Sequence, residues 1–277
     1  MKEIIFLNGK FLPLREAKIS ILTPGFLYGW GLFETMRAYH EKIVYFNAHL
    51  ERINRSCKLI GINMPYSRNK LKGIIQETVK TNAFTDARVR LTLWKFAAGA
   101  DTLVSVKKYC PYSYAKYKNG FRACVSSFRQ NEGSHLAQLK TTSYLLYRLA
   151  YQQAKEQGFD ESVILNPRGY ICEGSSTNIF LVKNQELWTP ALECGCLNGI
   201  TRKAVLDLAK KYHIKAYEGN LSLPDLYAAD EAFLTNSLLG IMPLAAVEKQ
   251  RAGKGTGRYR ITRFFMQEYH SLLTRGT

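Results

Sequence analysis

The chain has 277 residues, 46% hydrophobic and 22% charged, the composition of a folded protein long enough to bury two sizeable cores. Its formal charge of +17 is the outlier, yet lysines and arginines are spread from Lys2 to Arg275 with no groove-reading or stacking motif beside them, which sets nucleic acid aside as a partner. No apolar run is long enough to cross a bilayer, and polar residues interrupt the first nine positions before a signal-peptide core can form, so the cytoplasm is expected and a membrane is not.

Ile4-Ile5-Phe6-Leu7 reads as a strand, Asn8-Gly9 as a tight hairpin turn and Lys10-Phe11-Leu12 as its return. Phe46, Leu50, Ile53, Cys57 and Ile60 recur at spacings of four and three, which predicts a helix capped by Asn47 and ended by Gly61, with Arg52 on its polar side. Ser67 is expected to cap a second helix carrying Leu71, Ile74, Ile75 and Val79, and Ala87 to Trp94 alternates as a strand. Between Lys107 and Gly120 the pattern dissolves into Tyr, Lys, Pro and Gly, so we read a connection there and two domains, 1–118 and 119–277. The basic run from Lys249 to Arg263, with its three glycines, reads as a loop leading into a helix.

In the second half, strand Phe121 to Ser126 precedes a polar loop through Gly133 and a helix from about Thr141 to Gln157. Strand Ser162 to Leu165 then turns at Asn166-Pro167-Arg168-Gly169 and returns through Ile171 and Asn178 to Lys183. Gly199-Ile200-Thr201-Arg202 opens a helix with Val205, Leu208 and Tyr212 on one face, and Ile261, Phe264, Phe265 and Leu272 mark the last one. Of the six cysteines only Cys194 and Cys196 are close, with no second pair to complete a metal cage, so free thiols and no metal are expected.

The chemistry concentrates in two places: Lys140, in Leu139-Lys140-Thr141-Thr142-Ser143-Tyr144, and Glu173, in Glu173-Gly174-Ser175-Ser176-Thr177-Asn178, 33 residues later. A lysine amine can hold the aldehyde of pyridoxal 5'-phosphate as a Schiff base, and a carboxylate against the pyridine nitrogen keeps that ring an electron sink. Alone, each has a plainer reading as surface lysine or turn. A phosphate needs a cation and several donors. Gly199-Ile200-Thr201 offers a helix amino terminus, Asn236-Ser237 small donors at a strand end, and Arg52 a guanidinium. Their plainer readings are a helix cap, a turn and a solvated arginine.

These motifs, in order from Asn8-Gly9 to Pro243, resemble the class IV aminotransferase family of fold type IV pyridoxal phosphate enzymes. That group includes branched-chain aminotransferases, D-amino acid aminotransferases and aminodeoxychorismate lyases. The resemblance implies a two-domain α+β or α/β fold with the cofactor in the interdomain cleft, a homodimer and a small anionic substrate. It further implies Lys140 as Schiff-base lysine and proton shuttle, Glu173 as partner of the pyridine nitrogen and Tyr144 against the cofactor's phenolic oxygen. Arg52, Ile200, Thr201, Asn236 and Ser237 would bind the phosphate.

Phe33-Glu34-Thr35 and Thr235-Asn236-Ser237-Leu238-Leu239-Gly240-Ile241-Met242-Pro243 look most like the lyases. The expected reaction is therefore release of 4-aminobenzoate and pyruvate, a folate-precursor step, with Lys140 or Thr35 supplying the proton to the departing group. A class IV aminotransferase of branched-chain or D-amino acid type is the alternative, and a basic nucleic-acid-binding protein the remote one. Lys95 to Ala100 lacks the arginine and histidine pair of D-amino acid aminotransferases, and it also departs from the Arg-Gly-Gly sequence of many lyases. Tyr28 and Trp30 are candidate substrate neighbours by position, or else core aromatics.

Overall fold

The computed structural model describes residues 3–97, 99–253 and 259–275, and the glycines 255 and 257 of the basic run lie outside them. The chain divides into two compact units, one built from Met1–Pro111 with Leu139–Tyr144, the other from Tyr112–Gln138 with Leu145–Thr274. Among the described residues no helix is long and apolar enough to cross a membrane.

The first unit contains β1 (Ile4–Leu7), β2 (Lys10–Pro13), α1 (Pro24–Tyr28), β3 (Gly31–Tyr39) and β4 (Lys42–Ile43), then α2 (Phe46–Leu59), α3 (Arg68–Thr81), β5 (Asp86–Phe96) and β6 (Gly99–Lys108). The strands form an antiparallel sheet in the order β2-β1-β6-β5-β3-β4. The Asn8-Gly9 hairpin forms as expected, both residues having positive φ, 46° and 92°. Leu50, Ile53 and Cys57 of α2 and Leu71, Ile75 and Val79 of α3 bury against Met36, Val89, Leu91 and Val106 of the sheet. Ser67 caps α3 by accepting from the Lys70 N–H. Asn47 is not the cap of α2: Tyr45 occupies that position in the left-handed region, and the Asn47 side chain accepts from Arg68 instead.

The second unit contains α4 (Tyr114–Asn119), β7 (Phe121–Arg129), α5 (Leu145–Glu156), β8 (Glu161–Leu165), β9 (Ile171–Gly174), β10 (Asn178–Lys183) and β11 (Glu186–Pro190). After these come α6 (Ile200–Lys211), β12 (Ala216–Gly219), α7 (Leu223–Ala228), β13 (Glu231–Asn236), β14 (Gly240–Val247), β15 (Gln250–Arg251) and α8 (Arg260–Arg275). Its mixed sheet runs β12-β11-β10-β13-β14-β7-β8-β9, with β15 on β14. Val163, Ile179, Leu181, Leu234 and Leu244 fill its core with Leu226 of α7, while Phe180 and Phe233 stack at 5.0 Å.

Two further sequence expectations fail for a physical reason. Lys107 to Gly120 is not wholly irregular, because β6 runs to Lys108 on its ladder with β5 and Ser113 caps the short helix α4. The helix expected from Thr141 begins only at Leu145, since Thr141 bridges to Leu32 and the backbone of Lys140 and Thr142 is bonded to β3. That pairing needs Gly31: a Cβ there would stand 2.8 Å from both the Leu93 carbonyl oxygen and the Thr142 hydroxyl. Gly31→Ala is expected to destabilise the fold by about 1–3 kcal/mol, read as a lower urea midpoint.

Candidate active site

In the first unit the segment around Lys140 is a strap on the amino-terminal end of β3. The Phe33 N–H donates to the Lys140 carbonyl at 2.8 Å and the Thr142 N–H to the Gly31 carbonyl at 2.9 Å. The hydroxyls of Thr142 and Ser143 both donate to the Gly29 carbonyl, at 2.8 and 3.2 Å. So held, the Lys140 Nζ lies 4.5 Å from the centre of the Phe33 ring and 5.7 Å from that of Tyr144, and the two rings meet edge to face. The half-buried amine thus faces two aromatic rings, whose faces attract a cation.

Arg90, on β5, stacks its guanidinium 3.7 Å from the centre of the same Phe33 ring. It donates to the Thr92 hydroxyl at 3.3 Å and has no carboxylate partner among the described residues. Burial pushes its pKa down to about 10, and neighbouring Arg88 adds to this. Thr35 is paired in register with Arg90 across the β3–β5 ladder. Tyr28 is 72% exposed, and the Trp30 indole N–H donates to the Ile60 carbonyl at 2.8 Å.

Arg52 is not on a solvated face. It is buried, and its Nε and Nη2 donate to the two oxygens of Glu34 at 2.7 and 2.6 Å, while His49 Nδ1 stands 2.7 Å from Glu34 Oε2. Leaving either half of such a pair alone in the interior costs roughly 3–5 kcal/mol, so the three residues act as a unit. Burial alone would raise the Glu34 carboxyl; Arg52 and His49 outweigh it and hold the pKa down to about 2. For His49, burial pushes the pKa down, Glu34 opposes this, and Arg52 and Lys140 add to it.

The second unit presents a different set. Glu173 is buried on β9, accepting from the Tyr147 hydroxyl at 2.9 Å and from the Leu197 N–H at 3.1 Å. The Leu197 carbonyl in turn accepts from the Asn178 side chain at 2.8 Å, so the end of the Glu173-to-Asn178 motif holds the loop that leads into α6. At the start of that helix Gly199 is the N-cap with no side-chain cap, because a Cβ there would meet Asn178 Oδ1 at 2.0 Å. Thr201 therefore does not cap; it is buried one residue after Ile200, its hydroxyl 3.4 Å from that of Tyr269.

The turn between β9 and β10 is organised by Glu161. This buried carboxylate accepts from the N–H of Ser162 and Ser175 and from the hydroxyls of Ser175, Ser176 and Thr177. Asn236 donates to the Ser176 carbonyl at 3.2 Å and accepts from the N–H groups of Leu238 and Leu239, so its side chain shapes the turn in which Ser237 lies. Cys172, Cys194 and Cys196 are buried nearby, and burial pushes the Cys172 thiol up, with Glu173 adding to the effect.

Pyridoxal 5'-phosphate presents an aldehyde, a pyridine nitrogen and a phosphate dianion. Each unit carries groups whose chemistry suits that molecule: the first an amine at Lys140 and a buried guanidinium at Arg52, the second a buried carboxylate at Glu173 and the uncapped amino terminus of α6. Five participants escaped the sequence reading. Glu34 and His49 lay inside apolar patterns, Arg90 inside an alternating strand, Tyr147 inside a helix and Glu161 at a strand end. The signal available for His49 and Arg52 was their three-residue spacing on one helix face.

The amino-transferase class IV family model matches residues 31–247. A putative branched-chain-amino-acid aminotransferase of Methanocaldococcus jannaschii is 35% identical over 252 residues, 88% of each chain. The aminodeoxychorismate lyase of Bacillus subtilis is 30% identical over 266 residues, 92% of this chain and 90% of that one. Among solved structures, the branched-chain aminotransferase of Thermoproteus uzoniensis matches with a TM-score of 0.87 at 30% identity, over 98% of this chain and 96% of that one. A second solved branched-chain amino acid aminotransferase, with pyridoxamine 5'-phosphate, matches with a TM-score of 0.88 at 25% identity, over 98% and 95% of the two chains. The chain belongs to the class IV aminotransferase family, with the fold type IV architecture and pyridoxal 5'-phosphate as its cofactor.

The charged triad gives the fold a pH signature. Glu34, depressed from 4.5 to about 2, contributes stability that is complete above its unfolded value and is lost as pH falls through that window. His49 is also depressed, so protonating it below its unfolded value of 6.5 costs the folded state further. Urea unfolding is therefore expected to show stability falling in two stages as the solution is acidified, the later stage disappearing in Glu34→Gln.

Proposed function

We propose that this chain is a pyridoxal phosphate-dependent aminotransferase that moves an amino group between an amino acid and a 2-oxo acid, with branched-chain substrates the first class to test. The observation that carries the reading is the similarity to the Methanocaldococcus jannaschii protein, greater than that to the Bacillus subtilis lyase. The surroundings of Lys140 support it. Phe33 and Tyr144 are apolar walls suited to an aliphatic side chain, and Arg90 offers one guanidinium for one carboxylate. Aminodeoxychorismate carries two carboxylates.

When bound, the cofactor supplies an electron sink for the bond broken at the substrate's α-carbon. Lys140 is the residue to hold it covalently through Nζ and, once released, to carry the proton that leaves that carbon. The carboxylate of Glu173, oriented by the Tyr147 hydroxyl and the Leu197 N–H, keeps a proton on the ring nitrogen. Arg52 and the amino terminus of α6 at Ile200 and Thr201 bind the phosphate, with Ser237 in the turn that Asn236 shapes. Tyr144 flanks the lysine.

A homodimer belongs to the same proposal, supported by Ile21, Leu22, Phe26, Leu27 and Tyr28, each at least 50% exposed along one short stretch. The free cysteines among the described residues support a reducing compartment, the cytoplasm.

The second reading is the lyase. It is favoured by Thr35, whose hydroxyl makes no hydrogen bond among the described residues and so is open to deliver a proton, and by the similarity to the Bacillus subtilis enzyme. Cofactor-loaded protein should be given branched-chain amino acids with 2-oxo acids, and aminodeoxychorismate in parallel. Amino transfer without 4-aminobenzoate release is expected. Release of 4-aminobenzoate with equal pyruvate and no transfer would establish the lyase instead. Lys140→Ala should abolish either activity, and Arg90→Met should raise the KM for the amino acid by roughly 10- to 100-fold, the worth of one charge-assisted hydrogen bond.

A further inference from the structure

Glu34 is oddly placed for a residue beside a phosphate-binding arginine, because a carboxylate repels the anion that Arg52 would receive. Its burial makes the choice more pointed. Glu34 lies on the same face of β3 as Leu32 and Met36, which belong to the apolar core under α2, where an ionised carboxylate is stable only with partners. α2 supplies two, His49 and Arg52, three residues apart on one helix face.

The contacts are geometrically specific. Both Glu34 oxygens are taken by the Nε and Nη2 edge of Arg52, which fixes the plane of the guanidinium as well as its position. His49 adds a second contact to Oε2, so the carboxylate cannot swing without losing it. A flexible arginine would lose side-chain freedom each time it closed on a ligand; one already locked by a carboxylate does not.

We propose that Glu34, itself oriented by His49, is a positioning residue for phosphate recognition: it holds Arg52 as a pre-aligned anion receptor, so that preference for the phosphorylated cofactor depends on a carboxylate that does not touch it. This rests on the assignment of Arg52 to the cofactor phosphate. The alternative, that Glu34 merely neutralises a buried charge for the sake of the fold, gives the opposite expectation, since removing its negative charge would then strengthen phosphate binding.

The test is the ratio of the dissociation constants of pyridoxal and pyridoxal 5'-phosphate for apoprotein, which isolates the phosphate contribution and needs no turnover. Arg52→Met should reduce that preference by on the order of 100-fold and Glu34→Gln by about 10-fold, with pyridoxal affinity changed little. His49→Asn keeps both charges and removes the group that orients the carboxylate; it should lower the preference several-fold, and it stands in for Glu34→Gln if that variant does not fold. A preference unchanged or increased in Glu34→Gln or His49→Asn, alongside a loss in Arg52→Met, overturns the inference and leaves Arg52 as the phosphate ligand. No loss in Arg52→Met overturns the assignment beneath it as well.

Discussion

Backbone pairing between Gly31–Phe33 and Lys140–Thr142 is the constraint on which the arrangement of the first unit depends. A lysine on a free loop would sweep a wide volume. One whose carbonyl is bonded to the neighbouring strand has its Cα fixed, and the pleat then decides which face its side chain takes. The same ladder sets Phe33 beneath the amine, and the continuing β3–β5 register sets Arg90 over the same ring and Thr35 opposite Arg90. The glycines at 29 and 31 are part of this device, since side chains there would collide with Ser143 and Thr142.

Three buried carboxylates organise the two units, each by a different means. Glu34 is neutralised by a cation and held by a histidine. Glu161 is surrounded by neutral donors, hydroxyls and N–H groups of one turn, so it fixes backbone shape. Glu173 accepts from the Tyr147 phenol and from the Leu197 N–H of a loop far along the chain. The chemistry proposed for the first two follows from their partners, a cation aimed and a turn set, while the phenol and the N–H orient the Glu173 carboxylate. The donors gathered on Glu161 also explain why the motif after Glu173 is rich in Ser and Thr, a feature that in sequence reads only as a turn.

Where side-chain pattern decides structure, the sequence was legible. The Asn8-Gly9 hairpin, α2 and α3 with their apolar stripes, the Ser67 cap and the helix opened by Gly199 follow from local chemistry, and the motifs around Lys140 and Glu173 pointed to the family and its cofactor. What could not be read depends on partners far away in the chain. Thr141 to Tyr144 has helix-compatible residues, yet bonding to β3 draws its start out of the helix. Arg52 falls outside the apolar stripe of α2, and the Glu34 carboxylate, on another element, is what makes burial of its charge tolerable. Asn47 could cap α2, but the chain enters that helix through Tyr45 in a left-handed conformation. The reaction itself was least legible, because Phe33-Glu34-Thr35 favoured one member of the family while similarity over the whole chain favours another.

The protected thiol at Cys172 has a use of its own. It adjoins Glu173 on β9, lies wholly out of solvent and is kept protonated by burial, so an alkylating reagent can reach it only when that strand separates from its neighbours. Cys110, by contrast, is exposed. Labelling resolved residue by residue by mass spectrometry thus gives an internal clock and its own reference: the lag between Cys110 and Cys172 reports how often the carboxylate-bearing strand breathes.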